Sequence, residues 1–286
     1  MTVINVNFIY LLFFILPVAV DAQNVQQKSA RVPSTVKVDG LLQEWGSLQA
    51  NNSSNRIRYT ISNDDDNLYL AIQSSGVWCN AKIAHGGITL IISQSVDKKI
   101  REKAATNVSI TFPVIDKATA SGINAKQYGY FDIADEKSND SKKKMDSLYN
   151  AVNLLVNNSF KEIKIIGIKD IDTLVSVYNT YGIKAAAQFS KQMLYCYELA
   201  IPLKYLGLTI DNLVPFSYSI RLNGPTFGKR TSTRKIYNTE DPNDVPTTEL
   251  SPNFDGSKAI NPESFYKNYP SSLWAEYTLV KDNSNK

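Results

Sequence analysis

Residues 56–72 read Arg-Ile-Arg-Tyr-Thr-Ile-Ser-Asn-Asp-Asp-Asp-Asn-Leu-Tyr-Leu-Ala-Ile, and this pattern indicates the fold. Ile57, Tyr59 and Ile61 alternate with polar side chains, as in a strand that buries one face. The Asn and Asp residues at 63–67 are typical of a tight turn, after which apolar residues return. The stretch therefore predicts a β-hairpin.

Similar short apolar runs, separated by turn residues, recur along the chain. Further strands are expected at residues 87–93, 107–114, 127–133, 162–168, 174–178, 183–189, 193–201, 216–222 and 273–280. Because almost no helical periodicity lies between them, the pattern predicts an all-β protein. The expected architecture is an antiparallel two-sheet β-sandwich of the jelly-roll type.

One segment, residues 145–157, has helical periodicity instead. Leu148, Val152, Leu155 and Val156 form a single apolar stripe, which predicts a short helix. The charged residues before it lack any apolar period and indicate a solvated loop. The sandwich is therefore expected to carry one short helical insertion.

The remaining organisation follows from composition along the chain. A long segment rich in Pro, Asn, Asp and Ser predicts a loop that is either functional or partly disordered. The expected divisions are a signal peptide at 1–22, an N-terminal linker at 23–34, a single sandwich domain at 35–281 with a helical insertion near 135–160 and a long loop at 223–272, and a C-terminal tail at 282–286.

The expected signal peptide rests on an apolar run at residues 8–20. This run is too short for a membrane-spanning helix, which needs about 20 residues. Val20 and Ala22 are small residues suited to cleavage after Ala22. We therefore expect a secreted, periplasmic or cell-envelope protein that meets the membrane only through this peptide. An uncleaved membrane anchor is the alternative, because no Lys or Arg precedes the run.

The overall composition argues against several functional classes. The chain has 286 residues, of which 20% are charged, and a formal net charge of only +4. This mild charge gives no reason to expect a nucleic-acid partner. His85 is the only histidine, and no Cys/His cluster or Gly-x-Ser-x-Gly motif occurs, so we predict a protein that is not an enzyme.

The two cysteines, Cys79 and Cys196, leave two alternatives open. Export permits a disulfide. Such a bond would close a loop of over a hundred residues and stabilise the fold by about 4 to 5 kcal/mol in the chain-entropy description. The other alternative is a pair of buried free thiols that act as small apolar groups.

Four segments of the chain form a series in a characteristic order. They read Val-Asp-Gly-Leu-Leu-Gln-Glu-Trp at 38–45, the hairpin at 59–72, Tyr-Glu-Leu-Ala-Ile-Pro-Leu at 197–203, and Leu-Trp-Ala-Glu-Tyr-Thr-Leu at 273–279. This series resembles carbohydrate-binding module family 9-like domains of the wider DOMON-like sandwich group. The resemblance implies a noncatalytic module that binds poly- or oligosaccharide outside the cytoplasm.

Sugar binding by such a module needs flat aromatic rings that stack on the pyranose face and planar polar groups that fix the hydroxyls. The candidate stacking residues are Trp78, Tyr128 and Tyr130, and the candidate polar partners are Asn223, Arg230 and Arg234. Core packing or scattered surface positions are the alternative role for the aromatic residues.

Two other functions remain open. The protein could be a structural or adhesion sandwich whose partner is another envelope protein. Some DOMON-like relatives hold haem through His and Met, which here would mean His85 with Met145 or Met193. Electron transfer is therefore a more distant alternative.

Three acidic residues have two interpretations each. Asp64 and Asp66 have a spacing that suits Ca²⁺, but the later Glu and the central Gly of an EF-hand loop are missing, and Asp is itself a common turn residue. Glu198 lies in an apolar strand, either buried and paired with an arginine such as Arg221 or facing outward. No other cofactor is expected.

Overall fold

The computed structural model describes residues 25–103, 107–134, 136–225, 233–235, 248–250 and 262–282. The strands are β1 Ala50–Asn52, β2 Ile57–Asn63, β3 Asn67–Ser74, β4 Ile88–Ser93, β5 Val108–Phe112, β6 Glu162–Ile166, β7 Leu174–Ser176, β8 Lys184–Phe189, β9 Tyr195–Pro202, β10 Phe216–Leu222, β11 Thr233–Lys235, β12 Thr248–Leu250 and β13 Ser271–Tyr277. The helices are α1 Val77–Gly86, α2 Lys98–Arg101, α3 Lys117–Ile133, α4 Asn139–Ser159 and α5 Pro262–Asn268. The predicted signal peptide at 1–22 lies outside the described residues and stays a prediction.

The strands form an antiparallel two-sheet β-sandwich, which confirms the predicted fold class. One sheet has the order β1-β2-β3-β9-β8 and the other has the order β13-β10-β4-β5-β6-β7. The predicted hairpin is the β2–β3 pair, in which Ile61 lies opposite Leu70. A separate two-stranded ribbon joins β11 and β12.

The hydrophobic core lies between the two sheets. Tyr59 and Tyr197 from the five-stranded sheet and Leu90 and Tyr218 from the six-stranded sheet are fully buried. The hydroxyl oxygens of Tyr59 and Tyr218 lie 3.1 Å apart, so these strands meet across the core. The alternation predicted from the sequence therefore places one face of each sheet inward and leaves the other face of each sheet outside.

The strand predicted at 127–133 is wrong, because these residues belong to helix α3. The Asp116 side chain caps the helix by accepting a hydrogen bond from the Thr119 amide at 2.9 Å. The buried positions Ala120, Ile123, Gln127 and Tyr130 follow the spacing of a helix. Alternating aromatic residues near the helix end imitated the period of a strand.

The helix predicted at 145–157 is confirmed and is longer than expected. It lies within α4, which begins at Asn139 inside the segment expected to be a loop. The Ser138 side chain caps it by accepting a hydrogen bond from the Ser141 amide at 3.0 Å. Together with α3, this makes the helical insertion larger than one short helix.

The N-terminal segment covers the middle of the outer face of the five-stranded sheet. Glu198 of β9 accepts hydrogen bonds from the amides of Asp39 at 3.0 Å and Gly40 at 2.7 Å, and from Trp45 Nε1 at 2.6 Å. The Trp45 ring lies edge-on against Tyr69 of β3, with ring centroids 6.5 Å apart. The chain itself therefore covers the part of this face around Glu198, and a second groove of about 490 Å³, lined in part by Arg58 and Gln73, lies beside it.

The chain before this segment also contacts the sandwich, although it was expected to be a linker. The Gln26 side chain bonds both the amide and the carbonyl of Ile61, each at 2.8 Å, and so extends the edge of β2. Arg31 forms a β-bridge with Asn63. Within the described ranges, no helix has the length and apolar character needed to cross a bilayer.

Candidate binding groove

A row of polar side chains crosses the outer face of the six-stranded sheet. Arg221 of β10 lies opposite Thr89 of β4, Thr89 opposite Thr111 of β5, and Thr111 opposite Lys164 of β6. Their neighbours along each strand are buried, so these four side chains point away from the core. With strands about 4.8 Å apart, the ends of the row are separated by about 14 Å.

This row forms the floor of a groove of about 720 Å³. We refer to it as the outer groove, and its main polar residues are His85, Thr89, Thr111, Lys164, Arg221 and Asn223. Small and apolar residues such as Ser109 and Pro113 line much of the remainder. The groove therefore presents planar polar groups and hydroxyls on an open sheet face.

Asn223 fixes one end of the outer groove. Its Nδ2 donates to the carbonyl of Gly86 and to Thr89 Oγ1, both at 2.8 Å. Thr89 Oγ1 in turn lies 2.7 Å from Thr111 Oγ1. A Cβ on Gly86 would lie 2.0 Å from the carbonyl oxygen of Gly224, so a side chain at this position does not fit. Gly86 thus allows the close approach that holds Asn223 over the sheet.

His85 lines the same groove at the end of α1. Its Nε2 lies 2.8 Å from Asn124 Nδ2, and the Asn124 oxygen accepts from Gln127, so Asn124 donates to the imidazole. This assignment leaves the ring proton on Nδ1. Burial, and then the nearby charge of Lys267, lower the pKa of His85, so the ring is neutral near pH 7.

The outer groove carries positive charge. Arg221 and Lys164 are exposed, and neither forms an ion pair with another residue that the structure describes. Among the described residues, the lining includes no Asp or Glu. Because nothing there neutralises them, both side chains are available to a ligand.

The three predicted stacking residues lie outside the lining of this groove. Trp78 of α1 and Tyr128 of α3 are half-buried and pack edge to face, with ring centroids 6.1 Å apart. They therefore contact each other and do not flank a gap. Tyr130 is buried, and its hydroxyl donates to the carbonyl of Lys191 at 2.6 Å, which is a packing role.

The structure describes two of the three predicted polar partners, Asn223 and Arg234. Asn223 lines the outer groove, as described above. Arg234 lies in β11, opposite Glu249 of β12. Arg230 lies outside the described residues, so its part in a site stays a prediction.

The hairpin turn has the hydrogen bonds of a capped turn. Asp64 Oδ1 accepts from the amides of Asp66 at 2.8 Å and Asn67 at 2.6 Å, and Oδ2 accepts from the Tyr69 hydroxyl at 2.7 Å. The carbonyl of Asp66 accepts from the Leu203 amide at 2.8 Å. Over the described ranges, no group of three or more His, Cys, Asp or Glu side chains is arranged for a metal ion. The turn interpretation accounts for both oxygens of Asp64.

Of the two alternatives for the cysteines, the structure has the pair of buried free thiols and no disulfide between Cys79 and Cys196. Cys79 lies on α1, with its Sγ 3.7 Å from the carbonyl of Asn55. Cys196 lies on the opposite side of β9 from the core-facing Tyr197, with its Sγ 3.8 Å from Gln73 Nε2. The two thiols therefore have separate partners in separate elements. Burial raises the pKa of Cys79 to about 11.

Glu198 is buried, as one interpretation expected, but Arg221 is not its partner. Glu198 belongs to β9 of one sheet and Arg221 to β10 of the other. The three N–H donors of the N-terminal segment hold the carboxylate instead. Burial raises the pKa of Glu198 to about 7, while these donors act in the opposite direction.

The three residues suggested as haem ligands lie in different parts of the fold: His85 on α1, Met145 on α4 and Met193 just before β9. His85 Nε2 bonds Asn124, as described above, and Met193 is fully buried just before β9. Met145 lies half-buried on α4.

Sequence reasoning missed Arg221, Lys164 and the two threonines as site residues. The alternation of β6 and β10 did mark Lys164 and Arg221 as outward-facing. The missing information was the strand order, since β10 lies beside β4 and β6 beside β5 although long segments separate them in the chain.

Comparisons with known proteins give no match to a family model, a curated protein or a solved structure.

Proposed function

We propose that this protein is a noncatalytic carbohydrate-binding module that takes poly- or oligosaccharide into the outer groove. The observation that carries the proposal is the polar row from Arg221 to Lys164 on an open sheet face. On the opposite outer face the N-terminal segment covers Glu198 and leaves a smaller groove, of about 490 Å³. Of the two outer sheet faces, the six-stranded one thus supports ligand binding better.

The chemistry of the groove suits sugar hydroxyls. The Arg221 guanidinium and the His85 imidazole are planar polar groups, Asn124 holds the imidazole in place, and Thr111 adds a hydroxyl that both donates and accepts. Planar donors and acceptors of this kind fix the orientation of a polar ligand. A groove open along the sheet also suits a chain that continues beyond the site.

The aromatic contact implied by the resemblance falls, in this proposal, to Trp274 of β13. Trp274 lies opposite Ser219 of β10, whose side chain is on the same sheet face as Arg221. The indole is half-buried, and the Arg101 guanidinium carbon lies 5.2 Å from its ring centroid. Trp274 lies outside the groove lining but beside the polar row, and a sugar would stack on the part of the ring that Arg101 leaves open.

A glycan array followed by calorimetry tests this function. Ser109→Leu places a branched apolar side chain on the groove floor, so it should abolish binding of any glycan that the wild-type protein retains. Ser54→Leu, at an exposed turn between β1 and β2, is the matched control and should bind normally. Loss of binding in Trp78→Ala, with Ser109→Leu unaffected, would place the site at the Trp78–Tyr128 pair and overturn the proposed groove.

A second candidate function is attachment to another envelope protein. Ile166 of β6 and Leu174 of β7 are 51% and 47% exposed, which is unusual for large apolar side chains on a sheet. Since β7 ends the sheet, a partner could add to it as a further strand. A glycan array without any signal above background would favour this function.

A further inference from the structure

We infer that the outer groove selects acidic saccharides, meaning chains that carry carboxylate groups such as uronates. This inference rests on the proposed function and narrows its ligand class. The observation behind it is the charge of the groove, where Arg221 and Lys164 stand without a neutralising acid among the described lining residues.

The positions of the two cations fit a chain with repeated charges. Arg221 and Lys164 occupy the two ends of one cross-strand row, with Thr89 and Thr111 between them. Three strand spacings, or about 14 Å, separate their backbones, so the two side chains can meet charges on different units of one chain. A chain that bears a carboxylate on successive units can reach both cations while one of its hydroxyls meets Thr111, the more exposed of the two threonines.

Arg221 and Lys164, at the two ends of the row, would bind a carboxylate in different ways. The Arg221 guanidinium can bind a carboxylate through two parallel hydrogen bonds, whereas the Lys164 ammonium acts as a single point charge. His85 is neutral near pH 7, so it serves sugar hydroxyls and adds little charge. We therefore assign the larger share of acid recognition to Arg221.

The test compares binding of an oligogalacturonate with binding of its methyl ester, which has the same carbon skeleton without the charge. We expect the acid to bind about tenfold more tightly, because one hydrogen bond to a charged group contributes roughly that much. Raising the salt concentration should weaken binding of the acid and leave binding of the ester unchanged.

Variants that remove a single positive charge show which residue causes the preference for the acid over the ester. Arg221→Gln should remove most of the preference for the acid, and combining it with Lys164→Gln should abolish that preference. Lys184→Gln removes one exposed positive charge from the five-stranded sheet and is the matched control, which should keep the preference.

The outcomes separate this inference from the function on which it rests. If the ester binds as tightly as the acid, or if the double variant keeps the preference, acid selection is wrong while saccharide binding stands. If sulfate at matched ionic strength displaces the acid as well as free galacturonate does, the groove is a simple anion site and the inference fails. If neither chain nor any array glycan binds, the proposed function itself fails.

Discussion

Glu198 shows how one buried residue can join distant parts of the chain. Its two oxygens accept three N–H groups from the N-terminal segment, and the carboxylate has no arginine or lysine partner among the described residues. A buried carboxylate in such a setting is held by hydrogen bonds alone. The geometry also explains Gly40, since a Cβ there would lie 2.6 Å from the carbonyl carbon of Ala187.

Glu198→Gln tests this role. The amide NH₂ of glutamine would face either Trp45 Nε1 or the two backbone amides, all of which are donors, so at least one buried donor loses its acceptor. We expect a loss of about 1 to 3 kcal/mol in the free energy of unfolding at pH 8, where the carboxylate is ionised. Urea unfolding of the two proteins at pH 8 measures this loss in unfolding free energy. Glu162→Gln, an exposed change on β6, should stay within about 0.5 kcal/mol, and equal stability of the two variants would contradict the account.

Lys82 is a buried cation without a carboxylate partner among the described residues. Its Nζ donates to Ser271 Oγ at 2.7 Å and lies 4.3 Å from the ring centroid of Tyr266. Burial lowers the pKa of Lys82 to about 8 from 10.5. The folded protein therefore releases this proton at lower pH than the unfolded chain, and the stability contributed by Lys82 rises as pH increases from about 8 to 10.5.

Lys82→Met keeps a straight side chain of similar size and removes this titration. We expect the unfolding free energy of the wild-type protein, relative to the variant, to increase between pH 8 and pH 10.5. Denaturant titrations at several pH values measure the difference. Lys184→Met, on an exposed position, should show no such trend, and a pH-independent difference for Lys82→Met would refute the assignment.

At the scale of elements, α1 meets β10 at a contact that only glycine permits. Gly86 ends the helix so close to Asn223 and Gly224 that a Cβ would overlap the backbone. This contact sets the end of the outer groove, because Asn223 bonds both the helix end and β4.

Gly86→Ala should therefore displace the Asn223–Gly224 segment. We expect it to cost about 1 to 3 kcal/mol in unfolding free energy and to weaken glycan binding. Gly129→Ala is the matched control, since a Cβ there meets Leu148 at an ordinary 3.6 Å inside α3. That substitution should stabilise the protein by up to about 1 kcal/mol, as measured by urea unfolding. An unchanged stability for Gly86→Ala would show that the contact is not tight.

The sequence predicted elements well where the local pattern agreed with the tertiary packing. The β2–β3 hairpin has a clean alternation and a turn rich in Asn and Asp, and it was predicted correctly. α3 was not predicted as a helix, because its buried positions include polar Gln127 and its interior contains Gly122 and Gly129, which weaken the apolar stripe.

At the scale of the whole molecule, the site depends on contacts that no local pattern contains. The outer groove unites β4, β5, β6 and β10, whose order in the sheet differs from their order in the chain. Asn223 was predicted because its residue type suits sugar hydroxyls, whereas Arg221 was considered only as a partner for Glu198. Arg221 and Glu198 lie in different sheets, and the Arg221 side chain faces outward.

The central claim about the whole molecule is that a ligand binds the outer face of the six-stranded sheet and not the partly covered outer face of the five-stranded sheet. The most direct test of this claim is a titration with a glycan that the array identifies. Amide chemical shifts are followed during the titration to map the binding face. The account predicts that the largest shifts fall on Thr89, Thr111 and Arg221 and that the outer face of β9 is unaffected. Shifts concentrated on Trp78 and Tyr128, with β4, β5 and β10 unchanged, would contradict it.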